Sequence, residues 1–173
     1  MNGRRNIILV GPMGSGKSAV GKHLARALRM PFVDSDAEIE RRSGVDIPLI
    51  FEKEGESGFR QREREAIADL LQRAGIVLAT GGGAILLEEN RRALQSGGTV
   101  IYLETSVAQQ LQRVRSGERR PLLSGVADMS GRLAELMVQR APLYAEVATI
   151  TVQTDGQRVQ HVVARILGQL PTH

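Results

Sequence analysis

The sequence contains no cysteine and no tryptophan. Without thiols there can be no disulfides, no thiolate metal sites, no cysteine nucleophile and no thiol redox switch, which suits a reducing cytoplasmic setting. Aromatic residues make up only 3% of the chain, too few for the stacking platforms that hold single-stranded nucleic acid. Runs of five or more Lys and Arg are also missing, so the formal charge of +4 points to small anionic substrates and not to nucleic acid. Long hydrophobic runs are absent as well. The longest mostly apolar stretch, Ala74 to Leu87, is broken by Thr80 and three consecutive glycines, short of the roughly 20 residues that cross a bilayer. The apolar residues Ile7 to Val10 behind Arg4 and Arg5 are too few for a signal-peptide core. The expectation is a cytoplasmic protein with no membrane partner.

What is present is enough for one core. A chain of 173 residues with 42% hydrophobic content buries a single substantial interior, so one domain spanning 1–173 is expected. A monomer is the accompanying expectation. Short apolar runs at Ile7–Val10, Met30–Val33, Ile76–Ala79, Thr99–Leu103 and Ala148–Val152 read as strands. Between them lie helical patterns at Ser18–Leu28, Ala37–Arg42, Ile47–Arg73 (broken near Gly55 and Gly58), Ala84–Leu94, Ser106–Arg115, Met129–Tyr144 and Val159–Leu170. Thr105 or Ser106 is placed to cap the fifth of these. Strands alternating with helices predict the α/β class: a five-stranded parallel sheet with helices on both faces.

The sharpest signal is Gly11-Pro12-Met13-Gly14-Ser15-Gly16-Lys17-Ser18, which fits G-x-x-x-x-G-K-[ST] without a mismatch between a predicted strand and a predicted helix. Glycines let backbone N–H groups converge on phosphate oxygens, and the following helix adds its positive end. Lys17 is expected to reach the β- and γ-phosphates of ATP, and the Ser18 hydroxyl to hold Mg2+. Gly14, Ser15, Gly16, Lys17, Ser18 and Ala19 form the expected ATP contacts.

Three further clusters surround this cradle. Asp34 and Asp36 close the second strand, where ligands of open α/β sheets bind. Spaced by two, they would point the same way on an extended chain, one accepting a proton or hydrogen bond from the attacking hydroxyl and the other orienting water on the metal; either could instead cap the next helix. Phe51 and Phe59 flank glycines ahead of Arg60, a grouping that suits a ring compound bearing a carboxylate or, equally, core packing plus a surface cation. Gly81-Gly82-Gly83 follows the third strand and would expose backbone donors. A basic, turn-rich stretch at about 113–125 reads as a mobile lid that excludes water, with Arg120 the functional cation and Arg113 and Arg115 solvated members of a loop.

Together, Gly11 to Ser18, Asp34-Ser35-Asp36, Phe51-x-x-x-Gly55-Glu56-x-x-Phe59-Arg60, Gly81 to Gly83, Arg120-Pro121-Leu122-Leu123 and Arg140-Ala141-Pro142-Leu143-Tyr144 resemble the shikimate kinase family across nearly the whole chain. The resemblance implies a three-layer P-loop kinase fold like that of nucleoside monophosphate kinases, with an acceptor-binding subregion at about 34–61. It implies phosphorylation of shikimate by ATP with one Mg2+. It also implies that Asp36 binds acceptor hydroxyls and serves as the base, that Arg60 and Arg140 hold the carboxylate, that Gly82 offers backbone contacts, and that Arg120 meets the ATP phosphates. Lys17, Asp36 and Arg120 are thus the expected catalytic residues. Asp34 resembles an outer-shell metal residue, which matters because Ala79-Thr80-Gly81 ends the third strand without an acid. An adenine loop is expected near Thr154 to Arg158, with Gln157 as the contact. Two other readings share the cradle. A kinase for another polyol acid such as gluconate need not keep two arginines beside Phe51, Phe59 and Pro142; a nucleotide-dependent switch or nucleic-acid-associated ATPase has no use for the acceptor groups.

Overall fold

A computed structural model describes residues 3–115 and 127–171. Five strands, β1 (Asn6–Val10), β2 (Phe32–Asp34), β3 (Val77–Ala79), β4 (Gly98–Glu104) and β5 (Ile150–Gln153), form one parallel sheet in the order β2-β3-β1-β4-β5. Among the described residues seven helices connect them: α1 (Lys17–Leu28), α2 (Ser35–Ser43), α3 (Ile47–Leu70), α4 (Glu88–Gly97), α5 (Val107–Arg115), α6 (Met129–Val147) and α7 (Val159–Gln169). The α/β sandwich expected from alternation is present.

Strand periodicity explains why both faces are covered. Successive residues point to opposite sides, so Ile7, Leu9, Val77, Ile101 and Leu103 meet Val20 and Leu24 of α1 and Val162, Val163 and Ile166 of α7. Ile8, Val10, Leu78, Val100 and Tyr102 face the other way, onto Ile67 and Leu70 of α3, Leu94 of α4, and Tyr144 and Val147 of α6. A smaller cluster of Ile39, Ile50, Phe59 and Ala66 joins α2 to α3 beside the sheet.

Central strand β1 lies between β3 and β4, with Leu9 level with Ala79 on one side and Ile101 on the other. The chain leaves β1 toward β2 on one flank and later crosses to β4 on the other. Such a switch point opens a crevice at the carboxyl ends of the strands, and residues after Val10, Asp34 and Ala79 gather there.

Several boundaries differ from expectation for identifiable reasons. The second strand begins at Phe32 because the Met30 amide closes α1 by donating to the Ala25 carbonyl, while the Pro31 carbonyl accepts from Val77. The fourth helix begins at Glu88, not Ala84. The Ala84 carbonyl is taken by the Asn90 side chain, and those of Ile85 and Leu86 by Arg91, so they do not serve helical amides. Only Gly55 breaks α3, at φ 72° and ψ −178°, a left-handed conformation that favours glycine. Gly58 is helical, and a Cβ there would collide with Glu54. Ser106, not Thr105, caps α5 by accepting from the Gln109 amide at 3.2 Å.

Candidate active site

The phosphate loop connects β1 to α1. Gly14 and Gly16 hold φ of 76° and 87°, a region in which a Cβ is strained. Gly16 is also the N-cap of α1 and supplies no side-chain cap, leaving the first-turn amides open to an anion. The half-buried Lys17 folds over its own loop, its Nζ donating to the carbonyls of Gly11 at 2.6 Å and Pro12 at 2.9 Å. Exposed Ser18 donates through Oγ to Asp34 Oδ2 at 2.9 Å.

Asp34 and Asp36 do not form the extended pair anticipated. Asp34 ends β2 and caps α2, its Oδ1 accepting from the amides of Asp36 at 2.9 Å and Ala37 at 3.2 Å. Asp36 already sits in the first helical turn, so its carboxylate leaves the backbone in another direction. The capping role weighed for one of the pair therefore belongs to Asp34, with Oδ2 left to face Ser18.

A second group of side chains surrounds the glycine triplet after β3. None of Gly81, Gly82 or Gly83 has a positive φ, so the requirement here is space. A Cβ on Gly81 would stand 2.7 Å from Asp36 Oδ1 and 3.2 Å from Glu63 Oε2; one on Gly82 would stand 3.3 Å from the Met13 amide nitrogen and 3.6 Å from Arg140 Nη1; one on Gly83 would overlap the Arg60 guanidinium. The triplet is the floor on which Asp36, Arg60 and Arg140 meet, beside the phosphate loop.

Arg60 is held by α3. Its Nη1 donates to Glu63 Oε1 at 2.9 Å, its Nη2 to Glu56 Oε1 at 3.4 Å, and its guanidinium lies 5.2 Å from the centre of the Phe59 ring. Phe59 in turn packs on Phe51 with ring centres 5.0 Å apart. Buried Arg140 projects from α6, where burial lowers its guanidinium from the ordinary value and hydrogen bonding with the Tyr144 hydroxyl opposes that shift. Tyr144 stacks on Tyr102 and donates to the Gly82 carbonyl; burial pushes its hydroxyl well up. Buried nitrogens Arg60 Nε and Arg140 Nε, and buried Glu63 Oε2, lack hydrogen-bond partners among the described residues. Such orphaned atoms mark a polar pocket.

Glu63, Tyr144 and Arg113 carry parts of this geometry that residue-level reading did not assign. Glu63 had a signal, its i,i+3 spacing from Arg60 on one helix face. Arg113, expected to be solvated, donates from Nη1 to the Gly14 carbonyl at 2.9 Å from the last turn of α5. With Ser15, Gly16, Ala19, Thr154, Gln157 and Val159 it lines a cavity of about 330 Å³ on the far side of the loop. Exposed Gln157, expected at the adenine, lies on that cavity. Arg120, with residues 116–126, lies outside the described residues, so the expected lid does too apart from 113–115, which are helical.

Glu63 is completely buried, and burial pushes its carboxyl above 4.5 despite Arg60 and Arg140 nearby. The folded chain then holds this proton more tightly than the unfolded one. Its contribution to stability is full below pH 4.5 and lost as pH rises through the raised folded value. Glu63→Gln should flatten the fall of Tm with pH above 4.5 relative to the parent; parallel melting curves across that range would contradict the assignment.

The site can take a hard cation without a protein cage. Among the described residues no cluster of three or more His, Cys, Asp or Glu could hold a metal. One hydroxyl and one carboxylate oxygen, Ser18 Oγ and Asp34 Oδ2, stand 2.9 Å apart at the mouth of the loop. That sparse oxygen set fits Mg2+, which keeps several waters and leans on substrate phosphates.

Comparison with known proteins agrees with this geometry. Residues 13–171 match the family model described as shikimate kinase. A shikimate kinase of Pseudomonas syringae pv. tomato is 53% identical over 166 residues, covering 96% of both chains. One from Pasteurella multocida is 53% identical, over 95% of this chain and 94% of its own. The structure of a shikimate kinase from Acinetobacter baumannii in complex with shikimate superposes with a TM-score of 0.93 at 47% identity, covering 97% of this chain and 96% of that one. A gluconokinase from Sinorhizobium meliloti, at 22% identity and a TM-score of 0.64, shares the fold. The chain belongs to the shikimate kinase family.

Proposed function

We propose that this chain transfers the γ-phosphoryl group of ATP to the 3-hydroxyl of shikimate, giving shikimate 3-phosphate and ADP on the route to aromatic amino acids. The carrying observation is the meeting of Arg60, Arg140 and Asp36 on the Gly81–Gly83 floor, next to the phosphate loop. The two guanidiniums take the acceptor carboxylate, with Arg60 pre-aimed by Glu63 and Arg140 by Tyr144. This anchoring turns one ring alcohol toward the loop, where Asp36 accepts its hydrogen bond. Gly82 contributes its backbone.

Nucleotide phosphates lie in the loop, against the amides of Gly14, Ser15, Gly16, Lys17, Ser18 and Ala19. Lys17 leaves the Gly11 and Pro12 carbonyls for the β- and γ-oxygens, and Arg120 approaches the same phosphates from the lid. Ser18 would hold Mg2+ directly and Asp34 through water, and the ion would neutralise charge between the terminal phosphates. The acceptor oxygen attacks the γ-phosphorus as the bond to the β–γ bridging oxygen breaks; ADP leaves, and the alcohol proton passes to Asp36 or to solvent. Gln157 and Arg113 flank the adenine side.

The same reading makes the chain a single kinase domain with its acceptor subregion at 34–61. We place it as a monomer in the cytoplasm, where ATP is available, acting on small molecules and not on nucleic acid or membranes. No described helix is long and apolar enough to cross a membrane.

An ADP-release assay tests the reading directly. ADP should form when shikimate and Mg2+ are both present and fall to background when either is withheld. Faster release with gluconate or a nucleoside monophosphate would overturn the substrate, and release indifferent to any acceptor would favour an ATPase.

A further inference from the structure

Gln110 lies in the middle of α5 and is 2% exposed. Its Nε2 donates to the Met13 carbonyl at 2.9 Å, spanning the gap between α5 and the phosphate loop. A carbonyl only accepts, so this bond fixes the orientation of the amide and turns Oε1 away from Met13. That oxygen is buried and has no hydrogen-bond partner among the described residues.

Gln110 and Arg140 line the same small cavity, about 10 Å³, together with Met13, Leu133, Leu136 and Tyr144. Arg140, a lining residue of this cavity, carries a second orphan in its Nε, a buried donor with no acceptor among the described residues. A cavity of this size takes about one water molecule, and only where polar partners await it. Gln110 and Arg140 bring one unpartnered acceptor and one unpartnered donor to its lining; a water accepting from Arg140 Nε and donating to Gln110 Oε1 would satisfy both, beside the apolar Leu133 and Leu136.

We propose that Gln110 is a positioning residue: through one bound water it holds the Arg140 guanidinium in the orientation that receives the acceptor carboxylate, and through Met13 it ties that orientation to the phosphate loop. The proposal rests on the reading of Arg140 as a carboxylate holder. Since Nε has no protein partner among the described residues, the hydrogen bond with the Tyr144 hydroxyl is made by a terminal nitrogen; anchoring Nε by water leaves the remaining terminal N–H groups for a bidentate carboxylate. It also gives nucleotide and acceptor a shared element, so that a nucleotide moving Met13 changes acceptor affinity, and the acceptor changes nucleotide affinity by the same factor.

Gln110→Met keeps the side-chain length and removes both polar atoms. Calorimetric titration with shikimate should show binding weakened about tenfold, as expected for losing a hydrogen bond to a charged group, while ADP affinity measured alone moves by less than about threefold. Lysine has no Nε, so adding Gln110→Met to Arg140→Lys should cost nothing further. Equal losses in both backgrounds, or a larger loss for ADP than for shikimate, would show Gln110 acting on the fold or the loop and overturn the proposal. Parent-like shikimate affinity in Gln110→Met beside a weakened Arg140→Lys overturns it alone; an Arg140→Lys protein that binds like the parent brings down the carboxylate reading as well. Should Gln110→Met fail to fold, electron density of the unaltered protein decides: a peak within hydrogen-bond reach of Gln110 Oε1 and Arg140 Nε is expected, and an empty cavity ends the idea.

Discussion

Lys17→Ala should lower kcat by more than about 10³-fold, the scale on which a single cation at a transferring phosphoryl group acts. Lys17 Nζ rests on the carbonyls of Gly11 and Pro12, so the charge is stored within the loop it serves and needs only a side-chain rotation to reach phosphate. Truncation removes that charge while leaving Gly14 and Gly16 to shape the loop and α1 to follow it. The fold should persist, since α1 is anchored by Val20 and Leu24 on the sheet. A coupled ADP assay with saturating ATP and shikimate reads the loss, and a circular-dichroism melt close to the parent's shows that it is chemical. Near-normal turnover in this variant would remove the kinase assignment.

Much of this machinery is legible from local sequence because local physics builds it. The phosphate loop is eight consecutive residues whose glycines dictate the backbone, and the strands are short apolar runs whose alternation gives the two buried faces. Arg60 stands out in the sequence through its neighbours Phe51 and Phe59, which do pack together. The acceptor site resists such reading because its parts arrive from far along the chain. Tyr144 donates to the Gly82 carbonyl 62 residues away, and Gln110 reaches Met13 across 97. Nothing local to Gly81–Gly83 tells that its missing side chains make room for Asp36, Arg60 and Arg140; without a structure the triplet reads as exposed backbone. The Asp34–Asp36 pair shows the opposite failure. Period-two reasoning holds only while the strand lasts, and Asp34 itself ends it by capping α2. Arg113 departs from expectation for a similar reason: a cation near a turn-rich segment has the pattern of a solvated one, and only the packing of α5 against the phosphate loop gives it a partner.

Asp36→Asn carries the other large expected effect, a fall in kcat of about 10²–10⁴, the range for losing a general base. Asparagine preserves the shape and one acceptor oxygen, and the helix start survives because the Asp36 contribution there is its amide, donated to Asp34 Oδ1. What vanishes is the negative charge beside Gly81, where Glu63 Oε2 also approaches. Glu63 cannot take over, since burial favours its protonated form and one of its oxygens is engaged by Arg60. Shikimate affinity, set mainly by the two arginines, should change far less than kcat. The acid limb of the kcat/KM profile separates proton acceptance from simple positioning: if Asp36 takes the alcohol proton, the parent loses activity as this carboxylate protonates and the variant shows no such limb. A variant that keeps parental kcat, or that loses only shikimate affinity, would leave Asp36 as a binding group and pass the alcohol proton to solvent.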